Sequence, residues 1–238
     1  MDGKLFRQKA FCFIRSLKSF IFVVLFRDFS VFSHAGAWIK SRQFGRDSLT
    51  EKTPLISFRA REWLDGNLKP DMAVFEYGSG GSTVFIAQRV RKIISVEHKR
   101  DWYQRASRFL AAQGISNCEY LLCEPENLSS GTSVRYSYQS YTSFKAEGFG
   151  FRAYVKSIEK YPDKSFDLVF IDGRARASCI FHALPKIKPG GYLLLDNAER
   201  EIYQDTISSL LHPYERIDFY GVGPFSTRAS KTSAWRIK

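Results

Sequence analysis

The sequence predicts an α/β fold: a parallel sheet covered by helices on both faces, a closing antiparallel hairpin and an N-terminal basic amphipathic helical extension. Three observations predict it. From residue 72 onward, short apolar runs alternate with helix-length segments, as expected of strands buried on both faces. The last two apolar runs have no helix between them and so pair as a hairpin. The first 50 residues differ in kind, with nine Lys/Arg, three Asp/Glu, nine Phe and Trp38.

Residues 4–26 lack Pro and Gly and read as one helix. At about 100° per residue, Phe6, Phe13, Leu17, Ile21 and Leu25 share one stripe, opposite Lys4, Arg7, Arg15 and Lys18. Only eight uncharged residues separate Lys18 from Arg27, far short of the ~20 a membrane span needs. Ala35-Gly36-Ala37 mimics a signal-peptide cleavage site, but Arg27 and Asp28 interrupt the apolar stretch before it. The helix suits peripheral contact with an anionic membrane surface or packing on protein, either its own domain or a second copy. This divides the chain into an extension, 1–50, and one domain, 51–238.

Within that domain, Met72–Tyr77 reads as a buried strand, followed by Gly78-Ser79-Gly80-Gly81-Ser82-Thr83 and a helix to about Arg91. Ile93–Glu97 is the second strand. A helix from about Arg100 to Gln113 stops at Gly114, where a C′ glycine is favoured. Asn117–Cys123 is the third strand. Residues 125–150 break the rhythm with a Ser/Tyr/Gly-rich insert containing Tyr136, Tyr138, Tyr141, Phe144 and Phe149, long enough to be a substrate-side element. Helix resumes at about Phe151–Glu159, then strand Phe166–Ile171 and a helix over about Ala175–Ile187. Pro189-Gly190-Gly191 turns into strand Tyr192–Asp196. A helix at about Ile202–Leu211 precedes strands Arg216–Tyr220 and Ser233–Ile237.

The 36 Lys+Arg against 24 Asp+Glu leave a net charge of +12, and half of that excess lies in the extension. Cys12, Cys118, Cys123 and Cys179 form no C-x-x-C pair and no zinc spacing with histidine, so they read as reduced thiols.

Ligands of open α/β sheets bind beyond the carboxyl ends of the strands. Here the first strand ends in the glycine turn, where a backbone without Cβ can approach a bound molecule. The second ends in Glu97, 19 residues after Gly78, where a carboxylate can accept both hydroxyls of a ribose. A dinucleotide fingerprint would place a third glycine where Thr83 stands.

"FEYGSGGST" and "SVEH", continuing through "FDLVFIDGRAR" and "KPGGYLLLDNAER" to "RIDFYGVGPFSTRASKTSAWRI", resemble the class I S-adenosylmethionine-dependent methyltransferases, over about residues 50–238. The resemblance implies a Rossmann-like sheet of seven strands with a reversed last strand. It also implies S-adenosyl-L-methionine over Glu76, Tyr77, Gly78, Ser79, Gly80, Gly81, Ser82 and Thr83. By the same resemblance Glu76 orients the amino-acid end of the donor, Glu97 holds the ribose, and Glu124 lies near the adenine.

On the acceptor side, Asp172 ends the fourth strand and Asp196-Asn197 the fifth; their oxygens suit Mg²⁺ or Ca²⁺. This set is similar to the metal site of catechol O-methyltransferase-type enzymes, where the ion would lower the pKa of a substrate hydroxyl. Those enzymes carry a lysine shortly after the first Asp; this chain has Arg174 and Arg176, which cannot act as bases but can grip an acidic acceptor. Asp172, then Glu199, are the candidate bases, and His98 and His182 read as surface or packing residues. The whole suggests a cytoplasmic methyltransferase, peripheral at the inner face of a membrane, acting on a small-molecule, glycan or lipid-linked acceptor, with a homodimer in view. An RNA-directed enzyme and a non-catalytic binding protein are the alternatives. Against RNA stand the missing Asn/Asp-Pro-Pro-aromatic and Pro-Cys motifs.

Overall fold

Ser57 begins the ordered packing on one face: its hydroxyl accepts from the Ala60 amide at 3.2 Å and donates to the Phe219 carbonyl at 3.1 Å. This N-cap starts helix α2 (Phe58–Asn67), which follows α1 (Ser30–Ser41). The structure is a computed structural model that describes residues 30–41, 46–128, 136–226 and 228–238. The predicted 4–26 helix and Cys12 lie outside those residues. Among the described residues no helix is long and apolar enough to cross a membrane.

Seven strands form one sheet: β1 (Ala73–Tyr77), β2 (Lys92–Glu97), β3 (Cys118–Leu122), β6 (Phe166–Ile171), β7 (Ile187–Leu195), β8 (Glu215–Gly221) and β9 (Ser230–Arg236). Their spatial order is β3-β2-β1-β6-β7-β9-β8. β1, β2, β3, β6 and β7 are parallel, whereas β9 runs antiparallel to both β7 and β8. The order reverses between β1 and β6, the place where such sheets open a ligand crevice.

Side chains alternate across the sheet, so successive residues of β1 serve opposite cores. Phe75 and Tyr77 join Val169, Ile171 and Leu195 under α5 (Arg152–Lys156) and α6 (Arg176–Ala183). Val74 joins Phe170 and Leu194 under α2 and α3 (Gly81–Ala87). Helix α4 (Arg100–Ala112) packs through Ala106 and Leu110 on Leu49 and Val84. The remaining helix, α7 (Gln204–Leu210), follows a 3₁₀ turn at Glu201–Tyr203.

The strands and helices predicted from residue 72 onward are present, with three instructive departures. β7 starts at Ile187 rather than Tyr192. Gly190 and Gly191 exchange bonds with Ile237, and the β6–β7 register shifts there, so the Pro-Gly-Gly segment is a bulge within the strand and not a turn before it. The 125–150 insert carries a short ribbon, β4 (Glu126–Asn127) with β5 (Phe149–Gly150). Helix α1 packs on the domain: Trp38 is buried and its indole N–H donates to the Ser226 carbonyl at 2.8 Å.

The segment before α2 also holds the glycine turn. A Cβ on Gly81 would lie 2.0 Å from the Ser48 carbonyl oxygen and 2.4 Å from that of Thr53, both backbone atoms. Gly81→Ala is therefore expected to cost about 3 kcal/mol in urea unfolding. Gly36→Ala, where nothing lies within 4 Å in the interior of α1, is expected to stabilise by about 0.5–1 kcal/mol.

Candidate functional site

Glu76 lies on the α3 face of β1, wholly buried, directly beside Ser95 in the parallel register. Its Oε2 accepts from the hydroxyls of Thr83 and Ser95, each at 2.6 Å. Thr83 Oγ1 in turn accepts from the Gly80 amide at 3.0 Å. The turn, the first turn of α3 and strand β2 are thus tied to one carboxylate. Its second oxygen, Oε1, is buried without a hydrogen-bond partner. Burial raises the Glu76 pKa to about 7, against the pull of the nearby Ser82, Ser95 and Thr83 hydroxyls.

Gly78 has φ +94°, and a Cβ there would lie 2.8 Å from Gly173 Cα. The turn after β1 and the turn after β6 therefore touch through glycine backbone. Around this contact lies a cavity of about 440 Å³ lined by residues including Ser79, Glu97, His98, Phe144, Asp172 and Arg174.

Glu97 is 3% exposed and forms one wall. Its Oε2 accepts from Ser79 Oγ at 2.7 Å and its Oε1 from the His98 and Lys99 amides, both at 2.8 Å. Burial pushes its pKa up, but His98, Ser79 and the Lys99 amide outweigh it, so the group titrates below the ordinary glutamate value. His98 lines the cavity instead of the surface: its Nδ1 is 2.8 Å from Glu97 and its Nε2 accepts from Arg174 Nε at 3.4 Å. Trp102 closes the turn from the other side, its indole N–H donating to the Ser79 carbonyl at 3.0 Å.

Of the residues expected around the donor, Ser79 and Glu97 face the cavity, while Gly78, Gly80, Gly81, Ser82, Thr83 and Glu76 build the turn behind it. Tyr77 does not face it. One residue past Glu76, it points to the opposite core and donates its hydroxyl to the Val155 carbonyl at 2.6 Å. Glu124 is exposed and paired with Arg100, outside the cavity lining.

On the acceptor side, Arg176 is buried and makes four hydrogen bonds to its own surroundings. Nε binds the Gly173 carbonyl at 3.0 Å, Nη1 the Asp196 carbonyl, and Nη2 the Asp172 carboxylate at 2.8 Å and carbonyl at 3.1 Å. Its Nη1 is also 3.6 Å from Asp196 Oδ2. Burial opposes the guanidinium charge, but Asp172 and Asp196 outweigh it and raise its pKa. Arg176 therefore cannot serve as a free acceptor grip. Asp172 faces the cavity, its pKa raised by burial and by the neighbouring Asp196 carboxylate. Asp196 is buried, accepting from Thr232 Oγ1 at 2.9 Å. Asn197 has φ +53° and accepts from Arg200. Glu199 is exposed and turned to β9, accepting from the Lys231 amide at 2.9 Å.

These residues do not fit a divalent ion: the Arg176 guanidinium already contacts both carboxylates that would hold it, adding a positive charge at the place an ion would take. Among the described residues no cluster of His, Cys, Asp and Glu suits a metal. They do fit S-adenosylmethionine on two counts, the unmatched Glu76 oxygen beneath the turn and a turn whose backbone has no room for Cβ atoms.

Lys99, Trp102, Ser143, Lys145, Arg200 and Tyr203 also line the cavity, and no sequence motif singles them out. The insert flagged by its aromatic content supplies Ser143, Phe144 and Lys145, and Arg200 lies in the quoted "DNAER" stretch.

A methyltransferase-domain family model matches residues 75–198. The chain therefore belongs to that family, and its fold is that of the class I S-adenosylmethionine-dependent methyltransferases. A candidate O-methyltransferase from Klebsiella pneumoniae superposes with TM-score 0.56 at 15% identity, over 85% of this chain and 95% of that one. The O-methyltransferase TomG of Streptomyces achromogenes, in complex with SAM, gives 0.52 at 14% over 85% and 95%. A candidate methyltransferase from Streptococcus mutans, in complex with SAH, gives 0.52 at 11% over 75% and 96%. No curated protein matches the chain.

The Glu76 shift has a definite sign. A folded pKa of about 7 against an ordinary 4.5 means stability is fully present below pH 4.5 and is lost as pH rises through 7. Urea unfolding of wild type and Glu76→Gln at pH 4 and pH 8 should show wild type losing about 3 kcal/mol more than the variant between those values. Equal losses would place the titration elsewhere. Calorimetric titration of Mg²⁺ into the wild-type chain is expected to show no binding at the Asp172–Asp196 pair.

Proposed function

We propose that this methyltransferase transfers the methyl group of S-adenosylmethionine to a hydroxyl or amine of a small-molecule acceptor seated beneath Ser143–Lys145. The observation that carries this reading is the single cavity that joins Ser79 and Glu97 to Asp172 and Arg174 across the β1–β6 reversal.

When bound, the donor supplies an electrophilic methyl group on a sulfonium. Glu97 exchanges its present bonds from Ser79 for the ribose hydroxyls, a charged acceptor meeting two neutral donors. Glu76 keeps the turn in register from beneath, acting through Thr83 and Gly80. Alignment of donor and nucleophile does most of the catalysis, because displacement at a sulfonium needs little covalent help. Asp172 takes the acceptor proton. Its raised pKa makes it a stronger base than an ordinary carboxylate, and Arg176 fixes its position.

Titration of S-adenosylhomocysteine, followed by labelled-methyl transfer into fractionated lysate, tests the reading. Binding with label in small-molecule fractions is expected; no binding would overturn it, and label confined to RNA would redirect it. Glu97→Ala should weaken S-adenosylhomocysteine by at least about tenfold, the loss of charged hydrogen bonds. Asp172→Asn should lower kcat by about 100-fold or more. It should also remove the acid limb of the pH–rate profile, which in wild type lies above the ordinary carboxylate range because activity requires the ionised base.

A further inference from the structure

The acceptor half of the cavity carries more positive charge than its neighbours neutralise. Its lining includes Lys99, Lys145, Arg174, Arg176 and Arg200 against two acids, Glu97 and Asp172. Both acids are engaged, Glu97 with Ser79 and backbone amides, Asp172 with Arg176. Lys145, Arg174 and Arg200 have no carboxylate partner among the described residues. Arg174 donates to His98 Nε2 at 3.4 Å and the Phe144 carbonyl at 3.3 Å, neither of them a carboxylate. Arg200 donates to the Asn197 side chain.

Two of the three cations stand beside one ring, and the third, Arg174, donates to the backbone carbonyl of the same residue. Lys145 Nζ is 5.4 Å and the Arg200 guanidinium 6.0 Å from the centroid of Phe144, which is 38% exposed. The segment that delivers Phe144 and Lys145 is held in an unusual backbone conformation: Tyr141 has φ +54° and Lys145 φ +61°. Non-glycine residues in that region persist where the surroundings enforce it, and such strain collects at ligand clamps. Solvated lysines and arginines ordinarily spread over a surface; these converge on a concavity from three separate segments.

We propose that the methyl acceptor carries an oxyanion, a carboxylate or phosphate, gripped by Arg174, Arg200 and Lys145, with its carbon skeleton laid on Phe144. This rests on the methyl-transfer reading of the cavity and adds the acceptor class. Arginine matches the geometry of either anion through paired N–H donors, and Phe144 offers the apolar contact beside them.

Calorimetric titrations at fixed ionic strength test this on the full chain saturated with S-adenosylhomocysteine. The probes are phenyl phosphate, benzoate and uncharged benzyl alcohol. At least one anion should bind about tenfold or more tighter than benzyl alcohol, and the stronger of the two identifies the oxyanion. The double variant Lys145→Gln/Arg200→Gln should lose that advantage while S-adenosylhomocysteine affinity stays within about twofold. The charge-retaining Lys145→Arg/Arg200→Lys should recover part of it, which separates charge recognition from a folding defect. Equal binding of all three probes, or anion affinity unchanged in the Gln variant, overturns the proposal. So does a Gln variant that loses S-adenosylhomocysteine in the same proportion, since the cations would then serve the donor's own carboxylate. If S-adenosylhomocysteine fails to bind wild type, the methyl-transfer reading falls, and the same titrations on the chain alone still decide the oxyanion.

Discussion

The hydrogen bonds that Thr83 and Ser95 donate to Glu76 set the position of the first turn, and the site hangs from that turn. A carboxylate buried with no cation beside it is an expensive device, and here one of its oxygens has no partner at all. What it secures is geometry. Thr83 links the carboxylate to the Gly80 amide, so strand β1, strand β2 and the start of α3 cannot move independently. Because Gly78 meets Gly173 at backbone distance, the placement passes on to the end of β6, from which Asp172 and Arg174 project. Thr83 at the third position of the glycine pattern is thus a working part: a glycine there would supply no hydroxyl to join Glu76 to the turn.

Arg176 performs the corresponding service on the acceptor side. It bridges the Asp172 and Asp196 carboxylates and accepts the desolvation that a buried ion cluster entails. Such clusters add little net stability, but breaking one by removing a single partner is strongly unfavourable. The consequence for chemistry is specific. A guanidinium has no coordination position to offer a substrate oxygen and no proton to exchange near neutrality. In the proposed reaction, activation of the acceptor falls to Asp172, whose raised pKa comes from burial and from the adjacent carboxylate.

Much of this was legible in the sequence because it depends on local rules. Apolar runs marked the strands, and the strand-end rule placed Glu76, Glu97, Asp172 and Asp196 on one rim. The rule does not say which residue at a strand end turns inward. Tyr77 and Glu76 are adjacent, and the alternation of the pleat sends them to opposite cores. Arg174 and Arg176 looked equivalent, yet the left-handed Ala175 between them, φ +46°, accompanies their divergence into cavity and core. The Ser48 and Thr53 backbone over Gly81 is a tertiary contact that periodicity does not encode, and the aperiodic insert gave no register from which to place Phe144 and Lys145.

The electrostatics of the cavity follow from these placements and constrain the order of events. Arg174, Arg200 and Lys145 repel any sulfonium brought near them; two like charges ~8 Å apart at an effective dielectric of ~20 repel by about 2 kcal/mol. Glu97 and Asp172 soften this only in part, since Glu97 is held by Ser79 and backbone amides and Asp172 by Arg176. An oxyanion among the three cations weakens that field at the donor and itself attracts the sulfonium. Donor and acceptor then favour each other's binding, and linkage requires the coupling to be reciprocal. Transfer of the methyl group removes the sulfonium charge, so the attraction that helped assemble the complex is absent from the products. The repulsion these three cations exert on a sulfonium is thus offset only while an anionic acceptor is seated among them.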